Sequence, residues 1–249
     1  MLSLSNLQLV ASKEELGTIP EGIAIINTIN AHSYNVAQND ELFAESLVKG
    51  DYLIPDGASI VKACRWLKAK SQPKERVAGW DLFSFEMNRL ERKSKEQGND
   101  KGKLRVMFMG SSEKVLSLIR EKAAVDYPHL DIVTYSPPYK PAFTGADNAA
   151  IVQAINEAKP DLLWIGMTAP KQEKWTYQHR NELKINCHVG TIGAVFDFYA
   201  GTAHRAPLWW QRHSLEWLYR LVIEPKRMWR RYVIGNPLFL WNVMKEKMR

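Results

Sequence analysis

Residues 22–27 read Gly-Ile-Ala-Ile-Ile-Asn, a run of apolar side chains with no polar alternation. A strand of that kind is stable only when both faces are covered, as in a parallel sheet with helices on either side. Comparable apolar segments return at residues 53–54, 104–109, 131–135, 161–167 and 185–189. Helices are expected over 33–49, over 58–67 with Ile60, Val61 and Cys64 at helical spacing, and over 146–158. Two more are expected: one carrying Leu82, Phe83, Phe85 and Met87, reached through a loop at 76–81, and one opened by Gly110-Ser111-Ser112-Glu113. Strands alternating with helices predict an α/β fold, a Rossmann-like parallel sheet flanked by helices and joined by right-handed crossovers. The first twenty residues carry only a weak signal for a short strand or helix.

Charge divides the chain. From Arg205 onward there are 10 Lys and Arg against three acids, and the part before it holds 24 of each sign. The whole net charge of +7 therefore sits in the last 45 residues, with five of the nine tryptophans. Residues 1–203 read as an α/β core, with a candidate sub-boundary in the charged, glycine-bearing stretch 91–103. Residues 204–249 read as a C-terminal helical appendage, basic and Trp-rich. In it Trp210, Trp217, Leu218 and Leu221 share a helical face. Pro225 starts a helix with Arg227, Arg230 and Arg231 on one side, and Gly235-Asn236-Pro237 stops it before a short apolar helix from Leu238. Tryptophan rings and cations on an amphipathic helix suit an anionic membrane surface. A helix packed on the body with its basic face in water is the plainer alternative. No nucleic-acid-binding motif accompanies the basic patch, and nucleic acid is not an expected partner. No signal peptide or membrane-spanning run is evident, and two distant cysteines, Cys64 and Cys187, fit a reducing compartment. The expected location is cytoplasmic, peripheral on the inner face of the membrane.

Polar groups collect where the strands end: Thr28 and Asn30, Asp56, Gly110 to Ser112, and residues 167–173. In parallel α/β sheets that edge binds ligands. Asp56, between Pro55 and Gly57, stands where a strand hands over to a helix, and either caps that helix or faces the cleft. Gly110 and Ser111 precede a helix N-terminus that suits a phosphate, or form an ordinary turn and cap. Pro170 suits a first helical turn. That puts Lys171, Gln172 and Glu173 at the cleft, or makes them a solvated helix start. No Asp-x-Asp, HExxH, P-loop, GxSxG or GxGxxG occurs, the six histidines show no ligand spacing, and no metal is expected.

The residues that carry a resemblance are Thr28 with Asn30, Ile54-Pro55-Asp56-Gly57, Arg76-Val77-Ala78-Gly79 with Asp81, and Gly166 followed by Pro170-Lys171-Gln172-Glu173. Residues 190–197 (Gly-Thr-Ile-Gly-Ala-Val-Phe-Asp), Arg205-Ala206-Pro207, and residues 215–221 with Glu224-Pro225 complete it. In this order, from residue 22 to 237, the chain resembles the WecG/TagA/CpsF family of bacterial glycosyltransferases. The resemblance implies inverting transfer of a hexose, N-acetylhexosamine or hexuronic acid from a UDP-sugar to a polyprenyl-diphosphate-linked sugar. The product would be a surface polysaccharide or a teichoic-acid linkage unit, and no metal or other cofactor is implied. Asp56 is then the general base, and Thr28, Asn30 and Gln172 line the cleft and orient the sugar. Arg212, Arg220 or Arg227 would stabilise the leaving UDP. The resemblance adds Arg76, Gly166, Gly190, Gly193, Asp197 and Arg205 to the substrate cleft, alongside Gly110, Ser111, Lys171 and Glu173. Departures from the family pattern are Ala31-His32-Ser33 after Asn30 and Trp80 inside the Val-Ala-Gly-Asp pattern, both of which bear on sugar choice. Two other readings remain open. One is a nucleotide-dependent oxidoreductase, against which the missing GxGxxG argues. The other is a peripheral membrane module with a nucleotide-binding but inactive cleft. A tail able to pack across a neighbouring copy allows a homo-oligomer.

Overall fold

The structure, a computed structural model, describes residues 2–98, 102–213 and 215–248, without the side chain of Leu208. The core runs β1 (Ala24–Ile29), α1 (Ala31–Ala37), α2 (Glu41–Val48), β2 (Tyr52–Pro55), α3 (Ala58–Leu67) and α4 (Gly79–Gln97). It continues with β3 (Leu104–Gly110), α5 (Glu113–Asp126), β4 (Leu130–Tyr135) and α6 (Gly145–Ala158). It closes with β5 (Leu162–Gly166), α7 (Lys171–His179), β6 (His188–Thr191) and α8 (Ala194–Ala200). All six strands are parallel, in the order β2-β1-β6-β5-β3-β4, so all six carboxyl ends line one edge. The expected Rossmann-like sheet is present.

Alternation along the central strands sorts the core into two layers. Val106, Phe108, Leu162 and Trp164 pack with Phe83, Phe196 and Tyr199 from α4 and α8. Met107, Met109, Leu163 and Ile165 face the other way, onto α6 and α7. A third cluster gathers Leu2, Leu4, Leu7 and Leu9 with α1 to α3, and the N-terminal segment has two 3-10 turns, Leu4–Asn6 and Glu14–Thr18.

Three expected boundaries moved. The helix expected over 33–49 is two helices, because Asp40 caps α2 by accepting from the Phe43 N–H at 3.0 Å. The last strand is His188–Thr191 instead of 185–189. Its histidine is buried between Glu86 Oε1 (2.9 Å) and the Pro20 carbonyl (3.0 Å), a polar pair that hides a core strand from hydropathy. The loop at 76–81 ends earlier, since Asp81 accepts from the Ala78 N–H at 2.8 Å and opens α4 at Gly79. The stretch 91–103 contains the last turns of α4, and strands from before and after it share one sheet; its residues 99–101 lie outside the described ones.

The tail forms α9 (Leu208–Arg212), α10 (Glu216–Ile223), α11 (Pro225–Trp229), a π-helical turn (Arg230–Ile234) and α12 (Gly235–Lys247). Gly235-Asn236-Pro237 does not stop the helix, contrary to expectation. Pro237 lacks an N–H, and the turn before it widens so that the Gly235 N–H bonds the Arg230 carbonyl five residues back. α12 then docks on α1. Phe239 meets Tyr34 edge-to-face at 5.5 Å, Val243 is buried, and Asn35 donates to the Gly235 carbonyl at 2.7 Å. Among the described residues no helix is long and apolar enough to cross a membrane.

Candidate active site

The sheet register sets Thr28 beside Ile54 and Ile29 beside Pro55, which brings the ends of β1 and β2 together. Asn30 begins α1 with a capping box: its Oδ1 accepts from the N–H groups of His32 (3.0 Å) and Ser33 (3.1 Å). Its oxygen is thus committed to the helix. Asp56 is not, for the N-cap of α3 is Gly57 and no side chain caps that helix. Instead Asp56 Oδ1 accepts from Arg76, from Nη2 at 3.1 Å and Nε at 3.4 Å. The third arm of Arg76, Nη1, donates to Glu216 Oε2 at 2.9 Å, and Glu216 belongs to α10 of the tail. Asp56 keeps 26% of its side chain exposed. Desolvation raises its pKa above the usual carboxylate range; Arg76 pulls it down and Glu216 pushes it up.

Further cations converge here. Arg205, half-buried, lies over the Trp80 ring at 5.1 Å and feels Glu216, Asp81, Arg76 and Asp56. Arg231 lies over Tyr232 at 5.8 Å, and its Nε is buried with no hydrogen-bond partner among the described residues. Desolvation lowers the pKa of Arg231; Arg220 and Arg227 lower it too, while Asp56 raises it. Arg220 sits over Phe198 at 5.6 Å. Burial, with Arg231 behind it, pushes His32 down to about 4, so its imidazole is neutral near pH 7.

The neighbouring strand ends are held by one amide. Gln172 Oε1 accepts from the Met167 N–H (3.2 Å) and the Gly193 N–H (3.1 Å), tying the ends of β5 and β6. Its Nε2 donates to Glu173 Oε1 at 2.8 Å. Glu173 is buried, its other oxygen has no partner among the described residues, and desolvation lifts its pKa to about 7. No three His, Cys, Asp or Glu among the described residues come together as metal ligands.

Residues 3–249 match the family model described as Glycosyl transferase WecG/TagA/CpsF family. The chain belongs to the WecG/TagA/CpsF glycosyltransferase family. Among its relatives is the N-acetylglucosaminyldiphosphoundecaprenol N-acetyl-beta-D-mannosaminyltransferase of Bacillus subtilis (strain 168). The two are 29% identical over 224 residues, which cover 90% of this chain and 80% of the relative. The Staphylococcus aureus (strain NCTC 8325 / PS 47) protein of the same name is 26% identical over 223 residues, covering 89% and 80%.

On this WecG/TagA/CpsF chain the candidate residues fall into three groups. Thr28, Asn30, Asp56, Arg76, Arg205 and Arg220 belong to the β1–β2 end with its arginines. Gln172, Glu173 and Gly193 form the β5–β6 clasp, where a Cβ at Gly193 would press on the Met167 carbonyl at 2.5 Å. The third group is engaged elsewhere. A Cβ at Gly166 would run into the Phe196 ring and one at Gly190 into Trp164, so these glycines make room for core aromatics. Gly110, at φ +114°, lets β3 approach the Gly166 carbonyl, and the Ser111 carbonyl accepts from Ser136 Oγ at 3.0 Å. Lys171 donates to the Lys140 carbonyl at 2.6 Å and covers Phe143. Asp197 closes the turn after α8 by accepting from Thr202. Arg212 is exposed, and Arg227, also exposed, pairs with Glu224 at 2.8 Å.

Glu216, Arg231 and His32 were not among the candidates. Arg231 was legible only as one member of a basic helical face, on which Arg227 and Arg230 are exposed and Arg231 is half-buried. Glu216 lies inside the Leu215–Leu221 motif, and nothing in that stretch announces its pairing with Arg76, 140 positions away.

Proposed function

We propose that this family member is an inverting transferase. It moves an N-acetylhexosamine from a UDP-sugar onto a polyprenyl-diphosphate-linked sugar at the cytoplasmic membrane surface. The observation that carries the reading is that a recessed acid at a strand end, Asp56, faces arginines delivered by a basic tail. Asp56 takes the proton of the acceptor hydroxyl as that oxygen attacks the anomeric carbon from the face opposite UDP. The glycosidic C–O bond to UDP breaks, and UDP departs with the electron pair and the negative charge that develops. Guanidinium groups of Arg231, Arg220 and Arg205 meet that charge in the role a metal ion fills elsewhere, with Arg212 and Arg227 further out. Thr28 and the Asn30 amide orient the sugar, and the Gln172 clasp shapes the floor beside them. The names of the Bacillus and Staphylococcus relatives favour N-acetylmannosamine as the donor sugar, and a lipid-diphosphate N-acetylglucosamine as acceptor.

The membrane part of the reading rests on the tail surface. Trp209, Trp229, Val233, Ile234, Leu240 and Trp241 are exposed there among Arg and Lys. The test is turnover across a panel of UDP-N-acetylmannosamine, its uronic acid and UDP-glucose with undecaprenyl-diphosphate N-acetylglucosamine, in the presence of EDTA. UDP-N-acetylmannosamine should turn over. The Asp56→Asn variant should lose about 10²–10⁴-fold in kcat while still binding UDP. An Asp56→Asn enzyme of normal rate sinks the base assignment.

A further inference from the structure

We infer that Glu216 is a positioning residue that couples seating of the C-terminal limb to the working state of Asp56. It draws off part of the Arg76 guanidinium and lends the acid its own negative charge. The inference rests on the reading of Asp56 as the base.

An arginine beside a single carboxylate normally engages both oxygens through parallel N–H bonds. Arg76 does not do this. It spends Nε and Nη2 on Asp56 Oδ1 alone and turns Nη1 to Glu216. Asp56 Oδ2 accepts no hydrogen bond from a described residue, so one oxygen of the acid is free to receive a proton. Asp56 is faced by Arg76 from the segment before α4, by Arg205 from the segment after α8, by Arg231 from the π-helical turn, and by Glu216 from α10. Around these, Asp81 faces Arg205 and His32 faces Arg231. Three guanidiniums therefore bear on Asp56, and Glu216 is the carboxylate besides Asp56 itself that pairs with one of them, Arg76, at 2.9 Å. Its side chain is only 14% exposed, so water screens little of the effect. Without Glu216, Arg76 is released to close on both oxygens of Asp56, and the acid becomes a weaker base held in an ion pair. Glu216 sits on the same limb as Arg220 and Arg231. One docking event then brings the cations for the leaving group and the anion that keeps the base effective.

The experiment compares pH–rate profiles of the full chain, Glu216→Gln, Glu216→Asp and Asp56→Asn, with UDP affinity and thermal melting measured on each. Glu216→Gln keeps the shape and a hydrogen-bond acceptor and removes only the charge. It should melt and bind UDP as the parent does, lose about tenfold in kcat, less than removal of a general base costs, and move the acid limb of its profile to lower pH. Glu216→Asp, which keeps the charge, should fall between the two. An unmoved acid limb, or a loss confined to KM, overturns the coupling. If Glu216→Gln melts early, the Glu216→Asp profile decides: a limb at the parent position with full melting temperature and reduced kcat counts against the inference. Should Asp56→Asn retain normal activity, the base reading itself fails, an outcome separate from any result at Glu216.

Discussion

Glu173 offers the clearest pH signature of any single side chain. Its folded pKa lies at about 7 against an ordinary value of 4.5, with burial the leading cause. Between those values the folded protein holds a proton that the unfolded chain has released. The stability associated with Glu173 is therefore greatest at low pH and falls as pH rises through the folded pKa. Replacing Glu173 by Gln keeps an acceptor for the Gln172 amide and removes the titration. The variant should lose less unfolding free energy than the parent between pH 5 and pH 8, a difference of up to about 3 kcal/mol. Equal losses in the two proteins would mean that Glu173 is not the group responsible. At this scale legibility depended on local chemistry. The Pro55-Asp56-Gly57 run announces a strand end by itself, and Pro170 announces a helix start. Glu216 and Arg231 were not legible, because their roles arise from contacts with residues 140 and more positions away or from a turn that departs from α-helical spacing.

Among the elements, α12 differs most from its expected form. What read as a short apolar helix after a break is continuous with the turn that bears Arg231, and its far end is fastened. Glu246 accepts five hydrogen bonds, from Ser3 Oγ, the N–H groups of Leu4 and Ser5, Ser5 Oγ and Tyr34 Oη, at 2.7 to 3.1 Å. Burial alone would raise its pKa, yet these donors hold it below the usual value. The contribution is thus present above the unfolded carboxylate range and disappears as pH falls through the folded pKa. Replacing Glu246 by Ala should lower stability by about 2–3 kcal/mol and open the Arg220–Arg231 region to trypsin before the core is cut. A digestion pattern identical to the parent's would show that α12 stays seated without it. The strands were legible from apolar runs because a doubly covered sheet demands them. β6 slipped since His188, Gly190 and Thr191 are polar or small, and their burial is explained by Glu86, Trp164 and Asn27 rather than by hydropathy.

For the molecule as a whole, the basic tail is a strap fixed at both ends. Ala206 is buried and Glu216 grips Arg76 at one end, and α12 is docked at the other. The apolar residues between them remain outside. Flotation with vesicles containing anionic lipid should carry the full chain. A Trp229→Ser, Leu240→Ser, Trp241→Ser triple variant should float several-fold less, since each exposed apolar side chain contributes about 1.5–3 kcal/mol when buried. Unchanged flotation would place the membrane contact elsewhere. The charge split at residue 205 made the existence of this limb legible, and its path was not, because α12 is held to α1 by contacts that no local pattern announces. The same path has a consequence for synthesis. β1 finds β6 only after more than 150 further residues have emerged, and the bond from Ser3 to Glu246 joins residues 243 positions apart. A nascent chain leaving the ribosome carries Asp56 long before Arg231. The groups gathered at the β1–β2 end are therefore made far apart in time, and their meeting waits until the basic limb has been synthesised and seated on α1.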